Sequence, residues 1–144
     1  MIDGFYDDVL PLTEKERIEY TKLPFDEKKF RSEAGMLAGL EFIGNPQATI
    51  FERIWCQPAL AILGIDAPSL ASTSNKLVES ASAKISLRIV NNQNPKKIMQ
   101  QLQDHIKKIT PWGATVDFKA GVANPPWCMD ASGPAFVAAE KALK

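Results

Sequence analysis

Apolar and polar positions along this chain follow two periods, and the changes between them mark its elements. In Ser82 to Asn92, SAKISLRIVNN, every second residue is apolar. That predicts a long strand from about Leu77 to Val90, with Ala81, Ala83, Ile85, Leu87 and Ile89 on one face. Ser82, Lys84, Ser86 and Arg88 take the other face. Ala114 to Ala120 alternates as cleanly, with Val116 and Phe118 inward and Thr115, Asp117 and Lys119 outward. Pro58 to Ile65, PALAILGI, reads as a strand with little polar face. Between the alternating segments the period lengthens. Ile98, Leu102, Ile106 and Ile109 recur at helical spacing behind Asn94-Pro95, an N-cap followed by proline at the first helical position. Thr110-Pro111-Trp112-Gly113 ends that helix.

Residues 1–48 read as helices joined by turns. Thr13 and Glu16 form a capping box, so a helix runs from there to about Lys22 and stops before Leu23-Pro24. A second starts behind Asp26 and ends at Gly35. Gly44-Asn45-Pro46 is a turn. The pattern leaves Thr49 to Cys56, TIFERIWC, open between a short helix and an extended segment. A polar, Ser-rich loop after Ile65 holds Asn75, and a last helix follows Gly133-Pro134. From Pro58 to Ala120 the order is strand, loop, strand, helix, strand. This predicts an α+β fold in which a helix lies across one face of an antiparallel sheet, preceded by extra N-terminal helices.

Composition narrows the function without naming it. The 144 residues suffice for about one domain with a core. Formal net charge is zero, so no global field draws the chain to nucleic acid or to an anionic membrane. No apolar run approaches the ~18 residues of a membrane span. The acidic start, MIDGFYDD, lacks the basic and apolar regions of a signal peptide, which makes the cytoplasm the default location. With one histidine, His105, and two distant cysteines, Cys56 and Cys128, a His/Cys zinc site has no ligands to draw on. Free thiols are favoured over a disulfide.

Candidate chemistry is sparse. His105 borders the apolar stripe of its helix and reads as structural. Asp3, Asp7 and Asp8 are a solvated acidic turn before they are a cation site. The glycines form no phosphate loop, and no serine lies in a nucleophile elbow. Arg88 is either an ordinary solvated charge or a guanidinium that forks onto a carboxylate. Strand geometry alone favours the first.

Five stretches in order carry a resemblance: GFYDDVLPLTEKER, LPFDEKKFRSEAG, ERIWCQPALAILGI, SNKLVESASAKISLRIV and NPKKIMQQLQDHI. Together they resemble the carnosinase-type zinc dipeptidases of metallopeptidase family 20, relatives of aminoacylase and succinyl-diaminopimelate desuccinylase. In that family a lid, or dimerisation domain, is inserted into the catalytic zinc domain. It is a four-stranded antiparallel sheet, ferredoxin-like, with two helices on one face. The resemblance implies that residues 1–122 are most of this lid and that residues 123–144 resemble the return into the catalytic domain. The family's lid opens with a strand bearing an Asp-Leu-His-Ser-Gly type motif and a helix, and neither is present before Gly4. His105 does not match that motif's histidine. The implied object is a fragment with an uncovered sheet edge, prone to self-association.

The resemblance carries two site residues over. SLRIV puts Arg88 where the family's strand arginine binds the free carboxylate of the peptide. Asn75, thirteen positions earlier, falls where a polar residue contacts the substrate or the tetrahedral intermediate. The implied function is a non-catalytic lid and dimerisation domain. It would supply carboxylate recognition and a dimer contact to an enzyme that holds two zinc ions elsewhere. The chain itself would have no catalytic residue, no metal ligand, no cofactor and no nucleic-acid or membrane partner, and would meet a peptide substrate only within the intact enzyme. The alternative is a free-standing α+β binding or regulatory module; a small intact enzyme is disfavoured because no nucleophile and base can be paired.

Overall fold

The computed structural model describes residues 2–69, 71, 75, 78–129 and 133–143. Five helices and two strands follow in order: α1 (Glu14–Lys22), α2 (Glu27–Glu33), α3 (Ile50–Trp55), β1 (Ala59–Asp66), β2 (Ser82–Arg88), α4 (Pro95–Ile109) and α5 (Pro134–Leu143). The architecture is α+β, with a two-stranded antiparallel sheet.

The helix ends are where local chemistry puts them. The Thr13 N–H donates to the Glu16 carboxylate at 2.8 Å, and the Glu16 N–H donates back to the Thr13 hydroxyl oxygen at 3.3 Å. The Thr13 hydroxyl, followed by its backbone N–H, holds the Glu16 carboxyl below its ordinary value. Asp26 caps α2 through the Lys29 N–H. At the far end, Met36 and Gly35 donate to the carbonyls of Arg31 and Ser32, with Gly35 at φ +63°. That left-handed turn suits glycine. TIFERIWC becomes a six-residue helix, α3. Its signal is a second capping box, Thr49 with Glu52, at the same spacing as Thr13 with Glu16.

The three N-terminal helices meet through a run of rings. Tyr20 lies edge-on to Trp55, Trp55 stacks on Phe51 with centroids 4.9 Å apart, and Phe51 continues to Phe25, Phe30 and Phe42. Arg31 caps the run, its guanidinium carbon 4.4 Å from the Phe42 centroid. Glu52 is buried and pairs with Arg17 at 3.3 Å, tying α3 to α1.

In the β-hairpin the register runs from Ala59 opposite Arg88 to Asp66 opposite Ser82, with a bulge between Ile62 and Gly64. The bulge decides which residues share a face. Without it, Ile65 would join Ala59 and Ala61, and Asp66 would join Leu60 and Ile62. The extra residue, Leu63, shifts the count by one. Leu60, Ile62 and Ile65 thereby share a face with Leu87, Ile85 and Ala83.

α4 buries Ile98 and Leu102, and the remaining buried hydrophobic among the described residues is Phe5. Residues 2–9 lie along α4, held by ion pairs from Asp8 to Lys97 at 2.6 Å and from Asp3 to Lys108 at 3.0 Å. Gln93 joins this unit to the end of β2. Its side chain is buried, donating to the Phe5 carbonyl at 2.7 Å and accepting from the Val90 N–H at 3.0 Å. α4 therefore packs on the N-terminal segment and makes no packing contact with the hairpin.

Three expectations need correction. The helix expected across one face of the sheet, α4, packs on residues 2–9 instead. Residues 114–120 form no strand, because neither open edge of the hairpin reaches them and an unpaired strand has no ladder to stabilise it. The long strand is shorter than its alternation suggested, starting at Ser82 and ending at Arg88; the start expected near Leu77 lies outside the described residues.

Gln93→Ala should lower unfolding stability by about 2 kcal/mol, since it leaves the Phe5 carbonyl and the Val90 N–H without their buried partner. Arg17→Ala should cost about 1 kcal/mol: Arg17 itself is largely exposed, but its loss leaves the buried Glu52 carboxylate with only the Thr49 cap as a partner. Chemical denaturation of the two variants checks the order.

Candidate functional site

The polar face of the hairpin combines charge with open space. Across from Arg88, Ser86, Lys84 and Ser82 stand Ala59, Ala61, Gly64 and Asp66. Directly opposed residues of an antiparallel pair share a face. The two long cations thus rise over a floor of two alanines and a glycine, and nothing bulky on β1 obstructs them. A shallow cleft of about 360 Å³ at the Asp66 end is lined by Gly64, Asp66, Ser82 and Lys84 among others.

Arg88 is exposed, and its Nη2 donates to the Gln57 carbonyl at 3.2 Å. That bond anchors one side of the guanidinium. A guanidinium has five N–H donors in a fixed fork, so four remain. Among the described residues no carboxylate pairs with Arg88 or Lys84. A planar, anchored and unpaired cation over small residues can receive a carboxylate through two parallel hydrogen bonds.

Asn75 is exposed in the loop that leaves β1 at Asp66 and enters β2 at Ser82. Arg88 lies at the other end of the hairpin. Six residue steps at about 3.3 Å put about 20 Å of strand between Arg88 and the root of that loop. The small floor under the cations went unread in the sequence, although Ala59, Ala61 and Gly64 were there to see. Their facing positions depend on the bulge, which no periodicity reveals.

The other candidates resolve into structure. Asp3 and Asp8 are engaged by Lys108 and Lys97. The hydrogen bond and charge of Lys108 hold the Asp3 carboxyl below its ordinary value. His105 is half-buried on α4. Among the described residues no group of His, Cys, Asp and Glu could hold a metal ion. No helix among the described residues is long and apolar enough to cross a membrane. Both cysteines are free, and Cys56 lies 3.5 Å from the Tyr20 hydroxyl. The hydrogen bond to Cys56, then partial burial and charge on that sulfur, push Tyr20 up to about 12.

Comparison with known proteins decides the family. A family model for the peptidase dimerisation domain matches residues 13–114. This chain belongs to that family. Cysteinylglycine-S-conjugate dipeptidase of Corynebacterium striatum is 27% identical over 112 residues, which are 78% of this chain and 25% of that protein. Human carnosine dipeptidase 1 shares its fold, with a TM-score of 0.77 and 23% identity over 99% of this chain and 31% of that one. A metallo-carboxypeptidase of metallopeptidase family 20 from Sulfolobus solfataricus matches with a TM-score of 0.62 and 31% identity, covering 75% of this chain and 28% of that one. The chain therefore spans about a quarter to a third of the length of these relatives.

Cys56→Ala should return Tyr20 toward 10, read from its phenolate absorbance on alkaline titration. The shift also has a stability consequence. A raised folded-state value means the unfolded chain loses the Tyr20 proton first, so stability from this group is complete below pH ~10 and is lost as pH rises towards ~12. In Cys56→Ala that loss should shrink.

Proposed function

We propose that this dimerisation domain works within a zinc-dependent dipeptidase, where Arg88 receives the free carboxylate of a short peptide. The observation that carries the reading is the state of Arg88: anchored on the Gln57 carbonyl, exposed, unpaired and set over Ala59. The relatives, two dipeptidases and a metallo-carboxypeptidase by name, agree with a substrate that has such a carboxylate. Any metal of the enzyme would be held by residues other than those described here. The domain's part is to bind and orient, and orientation lowers the barrier without a reacting group.

Asn75 is the second contact, its amide donating to the substrate or to the oxygen that gains charge during hydrolysis. The segment 123–144, with α5, is the return toward a catalytic domain. Two unpaired cysteines fit a reducing compartment, the cytoplasm.

In the full-length enzyme carrying this domain, Arg88→Ala should raise KM for dipeptides about 10- to 100-fold, the worth of a charge-assisted forked pair. Peptides whose C-terminus is amidated should lose nothing. An equal loss on both substrates would remove Arg88 from carboxylate recognition. The 144-residue chain alone, supplied with zinc, should hydrolyse no dipeptide.

A further inference from the structure

The bulge in β1 puts a glycine where the hairpin would otherwise carry a leucine. Counted on from Ala59 opposite Arg88, an unbroken ladder sets Leu63 against Lys84; the extra residue sets Gly64 there instead. A β-carbon at Gly64 would meet nothing within 4 Å, and the cleft of about 360 Å³ opens at this place. Two opposite charges border it, Lys84 and Asp66, both exposed. They form no ion pair with each other or with any other group among the described residues. The cleft thus has room for a side chain and a charge of each sign to read it.

Its place on the strand relates it to Arg88. Arg88 and Ala59 are the last pair of the ladder, so the polar face continues from Arg88 in one direction only, past Ser86 to Lys84. The Gln57 carbonyl occupies the guanidinium at the closed end. Four residue steps put about 13 Å of strand between Arg88 and Lys84. A dipeptide reaches about 7 Å from its carboxylate. An acidic side chain on its first residue and the four-carbon stem of Lys84 cover the remainder.

We propose that Lys84 selects dipeptides whose N-terminal residue carries a side-chain carboxylate, with that side chain over Gly64 and the α-ammonium toward Asp66. This rests on Arg88 holding the C-terminal carboxylate and names the substrate class of the same face. Asp66 stands two residues beyond Gly64, opposite Ser82. It attracts the ammonium and repels an acid that overshoots Lys84, so the two charges read both the sign and the position of the substrate's charge. A basic first residue sets its cation against Lys84 and is disfavoured.

The full-length enzyme carrying this domain tests this with Glu-Leu, Gln-Leu and Lys-Leu, which differ in charge at the first residue. Its kcat/KM should favour Glu-Leu over Gln-Leu about fivefold, the scale of an exposed ion pair, mainly through KM. Lys84→Met should abolish that preference, Lys84→Arg keep it, and Lys84→Glu turn it toward Lys-Leu. Gly64→Val, which fills the open space, should raise KM for Glu-Leu more than for Gly-Leu. An enzyme without the Glu-Leu preference, a preference that survives Lys84→Met, or an equal effect of Gly64→Val on both peptides overturns the assignment. The reading of Arg88 is judged apart, with the same peptides amidated at the C-terminus: an Arg88→Ala enzyme that still prefers the free acids overturns that reading, whatever Lys84 does.

Discussion

A two-stranded sheet pairs one edge of each strand and leaves the other edge and both faces open. That constraint governs this domain. β1 and β2 satisfy each other on one side only, and the bulge at Leu63 gathers Leu60, Ile62, Ile65, Ile85 and Leu87 onto one face. No helix packs on that face, and Ile62 and Ile65 stay well exposed. A face of this composition is one that a folded protein covers, and the chain belongs to a dimerisation-domain family.

The same geometry makes the polar face useful. The bulge that collects the apolar residues on one side leaves Ala59, Ala61 and Gly64 on the other. Lys84 and Arg88 therefore stand clear of bulky neighbours. The apolar face and the open polar face are two consequences of one extra residue in β1. The buried Gln93 and the Asp8–Lys97 pair then fix where β2 ends and α4 begins, so the strand carrying Arg88 is tied to the unit that buries Phe5, Ile98 and Leu102.

Much of the fold was legible in the sequence wherever the deciding chemistry was local. The caps at Thr13, Asp26 and Asn94 and the helix behind Gly133-Pro134 depend on residues a few positions apart. α3 carried the same local signal in Thr49 and Glu52, but the apolar run around it obscured the capping box. Elements that depend on distant partners were not legible. Alternation at 114–120 states what a strand would look like there and says nothing about which edge it would meet. The site divides the same way. Arg88 is marked as outward-facing by periodicity, whereas its open floor comes from a cross-strand register, and its distance from the Asn75 loop comes from the direction of the hairpin.

Binding of a non-hydrolysable dipeptide analogue to the full-length enzyme, with its C-terminus free or amidated, tests the central claim most directly: Arg88, clear of bulky neighbours on the polar face, takes a carboxylate. The account predicts that the free acid binds about tenfold or more tighter than the amide and that Arg88→Ala removes this preference. A preference that survives Arg88→Ala would contradict it.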